Sequence, residues 1–301
     1  MPTMVKVTLG DLIEETLDSL YRAAERPAQV VMGSNALEDE DDTEFTLSLG
    51  TLAPTQLVEF GSEMMLVTHR SDDATPVYTV SRGYLATDRG VHSTGDVGLI
   101  DPPYGRAQVE RWIRRAISGL MNTELPYIET DVYQTVPNGG YIELPPDTIE
   151  VLQVRHFGVL DNRFADVGGW RFEDDIPTSV VPSGKVLRVP SSVTDADELI
   201  VTVRRPYTFV GSGEEATVEL PLAGQDIPVL WAAAYGQSRR EVSRAELDKI
   251  EEWNQEQAIR TGVNLRMIRD MWGEVYRRVD EAKRVHRLPR YRPFRKMPKG
   301  W

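Results

Sequence analysis

Acidic and histidine side chains could give this chain a metal site or acid–base chemistry. The acidic pairs Asp72-Asp73 and Glu173-Asp174-Asp175 do not fit the twelve-residue calcium loop and are better explained as surface turns. The histidines share neither the H-x-H nor the H-x-x-x-H spacing that brings two imidazoles to one metal, so structural roles are the default. They are His69, His92, His156 and His286.

No nucleophile stands in a catalytic sequence frame. Cysteine is absent, which excludes thiol catalysis, cysteine zinc sites and disulfides. Ser81-Arg82-Gly83 lacks the G-x-S-x-G frame of a nucleophile elbow. Gly139-Gly140 and Gly168-Gly169 lack the spacing of a phosphate-binding loop. We therefore predict that the chain is not an enzyme and uses no cofactor and no metal ion.

Charge is divided unequally along the chain. Residues 277–301 hold ten Lys and Arg against two Asp and Glu, a net charge of +8, whereas the rest holds 24 basic and 45 acidic residues, a net charge of −21. Prolines 289, 293 and 298 forbid a continuous helix or central strand, so this end is predicted to be an extended arm that binds a partner. The predicted binding residues are Arg284, Arg287, Arg290, Tyr291, Arg292, Phe294, Arg295, Lys296, Lys299 and Trp301.

The rest of the chain is not expected to bind nucleic acid, because its excess of carboxylates repels phosphates. The start of the sequence has no apolar run behind a basic segment, and no stretch of about 18 apolar residues occurs. The expectation is a soluble product made in the cytosol that does not enter a membrane.

Apolar periodicity predicts the elements that must position these side chains. Helical spacing covers residues 8–25, 106–121 and 227–284, and short alternating segments predict a small β-barrel or meander of about five strands and then a β-sandwich. Because each helix has an apolar stripe to cover, we predict an α+β fold in which a discontinuous helical bundle carries two β-rich insertions and an extended C-terminal arm. The predicted units are a first bundle helix (1–26), a small β insertion (27–103), a second helix (104–125), a sandwich-like insertion (126–224), C-terminal helices (225–284) and the arm (285–301).

This layout resembles the head-tail connector, or adaptor, proteins of long-tailed bacteriophages of the siphovirus type. The motifs that carry the resemblance are Ser81-Arg82-Gly83-Tyr84-Leu85-Ala86-Thr87, then His92 and Gly95-Asp96, then Asp101-Pro102-Pro103-Tyr104 before an arginine-rich helix. Ala86 and Asp88-Arg89-Gly90 depart from the small residues expected there. The resemblance covers most of residues 8–121, extends more loosely to the C-terminal helices and arm, and matches the middle β segment by layout alone.

The resemblance implies a ring of typically twelve copies in the capsid–tail neck of a virion. Such a ring would sit beneath the portal protein and continue the DNA channel toward a stopper or tail-terminator protein. Double-stranded DNA would pass through it without specific binding. A C-terminal extension docks on the portal in such families, and the basic arm is the segment suited to it. The acidic run 38–42 is one candidate for the channel wall, but a solvated loop is the favoured interpretation.

Contacts between neighbouring copies are predicted to join the second helix of one subunit to the first helix of the next. The candidate cations could equally be ordinary solvated side chains. The candidates are Arg111, Arg114 and Arg115 on one side and Asp11, Glu14, Glu15 and Asp18 on the other.

An alternative function is a carbohydrate- or surface-binding virion module that uses its β segments. Tyr84, Trp170 and Phe172 would then form an aromatic platform.

Overall fold

The computed structural model describes residues 3–22, 26–134, 140–158, 163–190, 198–250 and 255–285. This part of the chain is mixed α/β, and its strands are paired antiparallel throughout. The helices are α1 (Leu9–Tyr21), α2 (Arg106–Ala116), α3 (Asn122–Glu124), α4 (Ile227–Ile250) and α5 (Gln255–Val285), and a π-helical turn (Ile117–Met121) joins α2 to α3.

A closed barrel of six strands lies between α1 and α2 in the sequence. Its strands follow the order β2-β3-β6-β5-β4-β7, and a core of fully buried side chains fills it. Phe45 stacks on Tyr78 at 5.7 Å between ring centroids and meets Phe60 edge to face at 5.8 Å. The strands are β2 (Gln29–Met32), β3 (Glu44–Leu49), β4 (Leu57–Phe60), β5 (Glu63–Arg70), β6 (Val77–Ser81) and β7 (Val97–Ile100).

The second β region lies between α3 and α4 and consists of two sheets with a shared core. One sheet has the order β11-β10-β14-β8 and the other β12-β13-β9, and Val154, Leu187 and Val201 belong to one apolar cluster. The strands are β8 (Tyr127–Gln134), β9 (Tyr141–Glu143), β10 (Glu150–Gly158), β11 (Arg163–Asp166), β12 (Arg171–Glu173), β13 (Val186–Arg188) and β14 (Glu198–Arg205).

Helices α1, α2 and α4 pack around a core that a strand pair completes. Strand β1 (Met4–Thr8) pairs with β15 (Thr217–Pro221), and Val218 and Leu220 of β15 are buried in the same cluster as Leu12 of α1. The last residue of β1 also begins α1, because the Thr8 hydroxyl accepts a hydrogen bond from the Asp11 N–H at 3.1 Å.

The predicted class, α+β with a discontinuous helical bundle, is wrong. The described chain is mixed α/β, its strands outnumber its helices, and it includes a closed six-stranded barrel. The prediction assumed that each apolar helical stripe packs against another helix. Part of that cover comes instead from β15, which is held in place by β1.

Helix α4 passes very close to α1 and α2 at Gly236. A Cβ atom added to Gly236 would lie 2.5 Å from Trp112 Cζ3 and 3.3 Å from Leu20 Cδ2. Glycine lowers helix stability, but here its missing side chain permits the contact between backbone and indole ring. Gly236 therefore has a packing role that compensates for its low helix propensity.

We expect Gly236→Ala to lower the free energy of unfolding by about 1 to 3 kcal/mol, because the added methyl group overpacks against Trp112. Gly273→Ala on α5 is the matched control, since nothing lies within 4 Å of its added Cβ. The control should gain up to about 1 kcal/mol from helix propensity. Urea unfolding followed by circular dichroism measures both. Equal stabilisation of the two variants would contradict the close packing described here.

Candidate interaction sites

The predicted C-terminal binding arm lies almost wholly outside the described residues. Helix α5 ends at Val285, and Arg284 is exposed on its last turn. Lys283, one residue earlier, forms an ion pair with Glu124 of α3. The end of α5 is therefore anchored beside α3, and it is from there that the chain continues. Residues 286–301, which include every other predicted arm residue, lie outside the described part.

Most of the predicted acidic contacts on α1 are used inside the subunit. Asp11 is bound to Thr8 at the start of the helix. Glu14 pairs with Arg106 at 2.6 Å, and Asp18 pairs with Arg26 at 2.9 Å. Glu15 is exposed and has no hydrogen bond or ion pair among the described residues.

The predicted cations of α2 are divided in the same way. Arg114 pairs with Glu110 at 2.8 Å and lies over the Phe209 ring at 4.5 Å. Arg115 donates to the Tyr235 hydroxyl at 3.2 Å and lies 5.4 Å from the centre of that ring. Arg111 is exposed and makes no ion pair within the part of the chain that the structure describes. Of the seven predicted residues, Arg111 and Glu15 are thus the two with neither a hydrogen bond nor an ion pair among the described residues.

Arg106 was not among the predicted residues, yet it joins several parts of the fold. Its guanidinium donates to both carboxylate oxygens of Glu214, at 2.8 and 2.7 Å, and to Glu14 at 2.6 Å. Its backbone N–H donates to Glu59 of β4 at 2.6 Å. The sequence offered no signal for this, because Glu14, Glu59 and Glu214 have no spacing in common with Arg106.

A buried ionic cluster sits at one end of the barrel. Arg82 donates from Nε and Nη2 to the two carboxylate oxygens of Glu63, each at 2.7 Å, and both side chains are 1% exposed. The His92 ring lies 2.9 Å from Glu63 Oε2. Burial alone would raise the pKa of Glu63, but hydrogen bonds from Arg82, His92 and the N–H groups of Gly90 and Gly83 lower it to about 2.

The cluster holds two exposed loops against the barrel. Arg82 also donates to the carbonyl oxygens of Asp39 and Asp42 in the acidic run 38–42, and to that of Gly90. In the second loop Gly83, Leu85 and Ala86 have φ values of 64°, 58° and 58°. Left-handed backbone at two consecutive non-glycine residues costs free energy, so the loop is kept in this shape by its attachments. The exposed acidic run is thus part of a supported surface.

Glu59 lies where the barrel meets α1 and α2. Glu59 is 2% exposed, and its Oε1 accepts a hydrogen bond from the Arg106 N–H. Its Oε2 is buried without a hydrogen-bond partner among the described residues. Burial raises the pKa of Glu59 to about 7, against the lowering effect of the Arg106 N–H and guanidinium.

The aromatic residues of the alternative function lie in two separate regions. Tyr84 is 37% exposed on the barrel loop. Trp170 and Phe172 are partly buried and pack against the core of the two-sheet region. The structure therefore does not bring the three rings into one platform. Within the described residues, no three His, Asp or Glu side chains are grouped to hold a metal, and no helix is long and apolar enough to cross a membrane.

We expect Arg82→Met to lower the free energy of unfolding by about 3 to 5 kcal/mol, because it leaves the Glu63 carboxylate buried without its cation. Arg89→Met is the matched control, since its ion pair with Asp41 is exposed and should be worth less than about 1 kcal/mol. Urea unfolding gives the free energies, and amide hydrogen exchange should show faster exchange in residues 38–42 and 83–92 of Arg82→Met. Equal effects of the two substitutions would show that the cluster does not hold the loops.

Glu59 should make the protein less stable as the pH rises. Its folded-state pKa of about 7 lies above the ordinary value of 4.5, so the folded state binds the proton more tightly. Its contribution is complete below about pH 4.5 and is lost as the pH rises through about 7, with a total near 3 kcal/mol. Glu59→Gln should remove this decline between pH 4.5 and 8, measured by urea unfolding. An unchanged pH profile would show that Glu59 does not titrate in this range.

Comparison with protein-family models, with curated proteins and with solved structures finds no match to this chain. A function is therefore inferred from the charge distribution, the order of the folded units and the side-chain contacts described above.

Proposed function

We propose that this chain is a structural protein of the bacteriophage neck, a head-to-tail adaptor that forms a ring of about twelve copies beneath the portal. The ring extends the DNA channel and joins the capsid to the tail through a stopper or tail-terminator protein. The basic C-terminal arm of each copy docks on the portal. Family resemblance suggests the number of copies and the partners, and the local charges suggest how the contacts form.

The observation that carries the proposal is the charge division. Residues 277–301 carry a net charge of +8, whereas the rest of the chain carries a net charge of −21. An exposed ion pair contributes only about 0 to 1 kcal/mol, so one arm held by charge alone would bind weakly. Burial of Phe294 or Trp301 would add roughly 1.5 to 3 kcal/mol each. Repetition around a closed ring makes later contacts effectively intramolecular, which turns weak single arms into a firm joint.

The order of the folded units also favours an adaptor. A closed barrel lies between α1 and α2, and a two-sheet region lies between α3 and α4, as in the layout that carries the resemblance. The chain thus presents two β units from one central region, which suits a subunit that contacts several neighbours. Arg111 and Glu15, which are exposed and have no ion pair within the described part of the chain, supply opposite charges for contact between copies.

The acidic surface is compatible with DNA that slides through the ring. Carboxylates repel the phosphate backbone and release none of its condensed counterions, so they do not hold the duplex in place. The acidic run 38–42 is exposed and is held in a fixed position by Arg82, which makes it the strongest candidate for a repelling wall.

We expect a chain that ends at Val285 to fold normally and to lose binding to the portal. The described core is complete without the last sixteen residues, whereas the arm carries the docking charges and aromatic rings. Circular dichroism checks the fold, and co-sedimentation with purified portal measures binding. The double variant Phe294→Ala and Trp301→Ala separates apolar from charged contributions and should weaken binding without abolishing it. Portal binding by the shortened chain equal to that of the full chain would refute the role of the arm.

Charge reversal tests the contact between copies. Arg111→Glu and Glu15→Lys should each reduce the fraction of rings seen by native mass spectrometry, and the combined variant should restore it, because the pair is then reversed. Arg269→Glu on the exposed face of α5 is the control and should leave the fraction unchanged. If the combined variant is as defective as the sum of the two single ones, these residues do not meet across the ring.

A further inference from the structure

A cavity of about 370 Å³ opens between α1 and the barrel. Leu17 and Tyr21 of α1, with Val97 and Leu99 of β7, give it apolar walls, and Glu59 forms part of its lining. Glu59 also lines a second cavity of about 350 Å³, between the barrel and α2. The lining also includes six charged side chains, so the cavity combines an apolar wall with converging polar groups, as small-ligand sites do.

The charges around the larger cavity leave one carboxylate without a cation. The lining contains four acidic side chains and two arginines. Arg106 is bound by Glu14 and Glu214, and Arg26 is bound by Asp18. Among the described residues, Glu59 is the lining charge that has no ion pair, since its Oε1 meets only the backbone N–H of Arg106.

The free atom in this arrangement is an acceptor. Glu59 is only 2% exposed, yet its Oε2 has no hydrogen-bond partner among the described residues. A buried carboxylate oxygen without a donor is costly, and native proteins rarely leave one unmatched. The site therefore lacks a donor, and a donor with positive charge would also supply the missing cation.

We infer that this cavity binds an aliphatic cation, a primary ammonium or guanidinium group on a short methylene chain, with the Glu59 carboxylate as its acceptor. Oε2 has almost no accessible surface in the structure, so the Glu59 side chain must turn toward the cavity for the charged group to reach it. The methylene chain contacts Leu17, Tyr21 and Leu99, while the charged group reaches the carboxylate. An anion is disfavoured because both arginines of the lining are already neutralised. A metal ion is disfavoured because no group of three or more ligands is found within the described residues.

Proton competition gives the site a pH dependence. The groups that face Glu59 are Arg106 of α2, Glu214 before β15, Tyr21, Glu14 and Asp18 of α1, and Arg26. Arg111 of α2 lines the second cavity together with Glu59 but forms no ion pair with it. Arg26 and Arg106 are already paired with other acids, and burial raises the pKa of Glu59 to about 7. A bound cation stabilises the ionised carboxylate, so binding displaces the proton, and affinity should fall up to tenfold for each pH unit below 7.

The experiment is isothermal titration calorimetry of the full chain with 1,4-diaminobutane and with agmatine at pH 8 and pH 6. We expect saturable binding to one site at pH 8, an affinity at least fivefold lower at pH 6, and no binding of 1-butanol, which lacks the charge. Glu59→Gln should abolish binding, whereas Glu44→Gln, an exposed acid of β3 outside the cavity, should leave it unchanged. Val97→Trp provides a second test, because Val97 is an exposed part of the cavity lining and the larger ring should weaken binding of the diamine.

The same titration identifies the source of the cation. Nα-acetyl-lysine methylamide and Nα-acetyl-arginine methylamide represent a side chain from another polypeptide, and tighter binding of these compounds than of the diamine would assign the site to a protein partner. Tighter binding of the diamine would assign it to a free amine. Absence of binding by all four compounds, or equal binding to wild type and Glu59→Gln, would overturn the inference.

Discussion

Arg106 stands at the first turn of α2, where parts of the chain that are distant in sequence meet. Its guanidinium binds Glu14 of α1 and Glu214 of the segment before β15, and its backbone N–H binds Glu59 of the barrel. The barrel, the first helix and the strand pair are therefore positioned by the groups of one residue. Because the guanidinium is only 17% exposed and is bidentate toward Glu214, these bonds are geometrically specific and are screened less by salt than surface ion pairs.

Two acidic residues four positions apart show how strongly local surroundings control a carboxyl group. Glu59 and Glu63 lie on the neighbouring strands β4 and β5, and both are buried. Glu63 meets a bidentate arginine and two backbone N–H groups, which favour its charged form. Glu59 meets one N–H and an arginine already shared between two other acids, so its neutral form persists to about pH 7. One residue fixes loops, and the other is left able to bind a proton or a cation.

Local periodicity predicted the helices well, but it predicted little of which distant segments pair or pack together. The apolar stripe of α1 and the helical region after Asp226 were readable because their contacts recur every three or four residues. Strand β1 was missed, because five residues next to a helix carry little pattern and its partner β15 lies more than 200 residues away. Helix α5 continues through Thr261-Gly262, although threonine and glycine are poor helix formers. The Glu63–Arg82–His92 cluster was likewise unreadable, because its members are joined by the closing of the barrel and not by spacing.

The barrel enters and leaves the rest of the chain at neighbouring points. Its first strand β2 and its last strand β7 pair with each other, so that Gln29 lies opposite Leu99, and the Ile100 N–H donates to the Ala28 carbonyl at 2.9 Å. A module with adjacent ends can fold as a self-contained inserted domain, and it adds little strain to the segments that flank it. Recombination could exchange such a barrel for another one of equal span while α1 and α2 keep their mutual packing. The architecture thus separates the part that can diversify from the part that must remain constant.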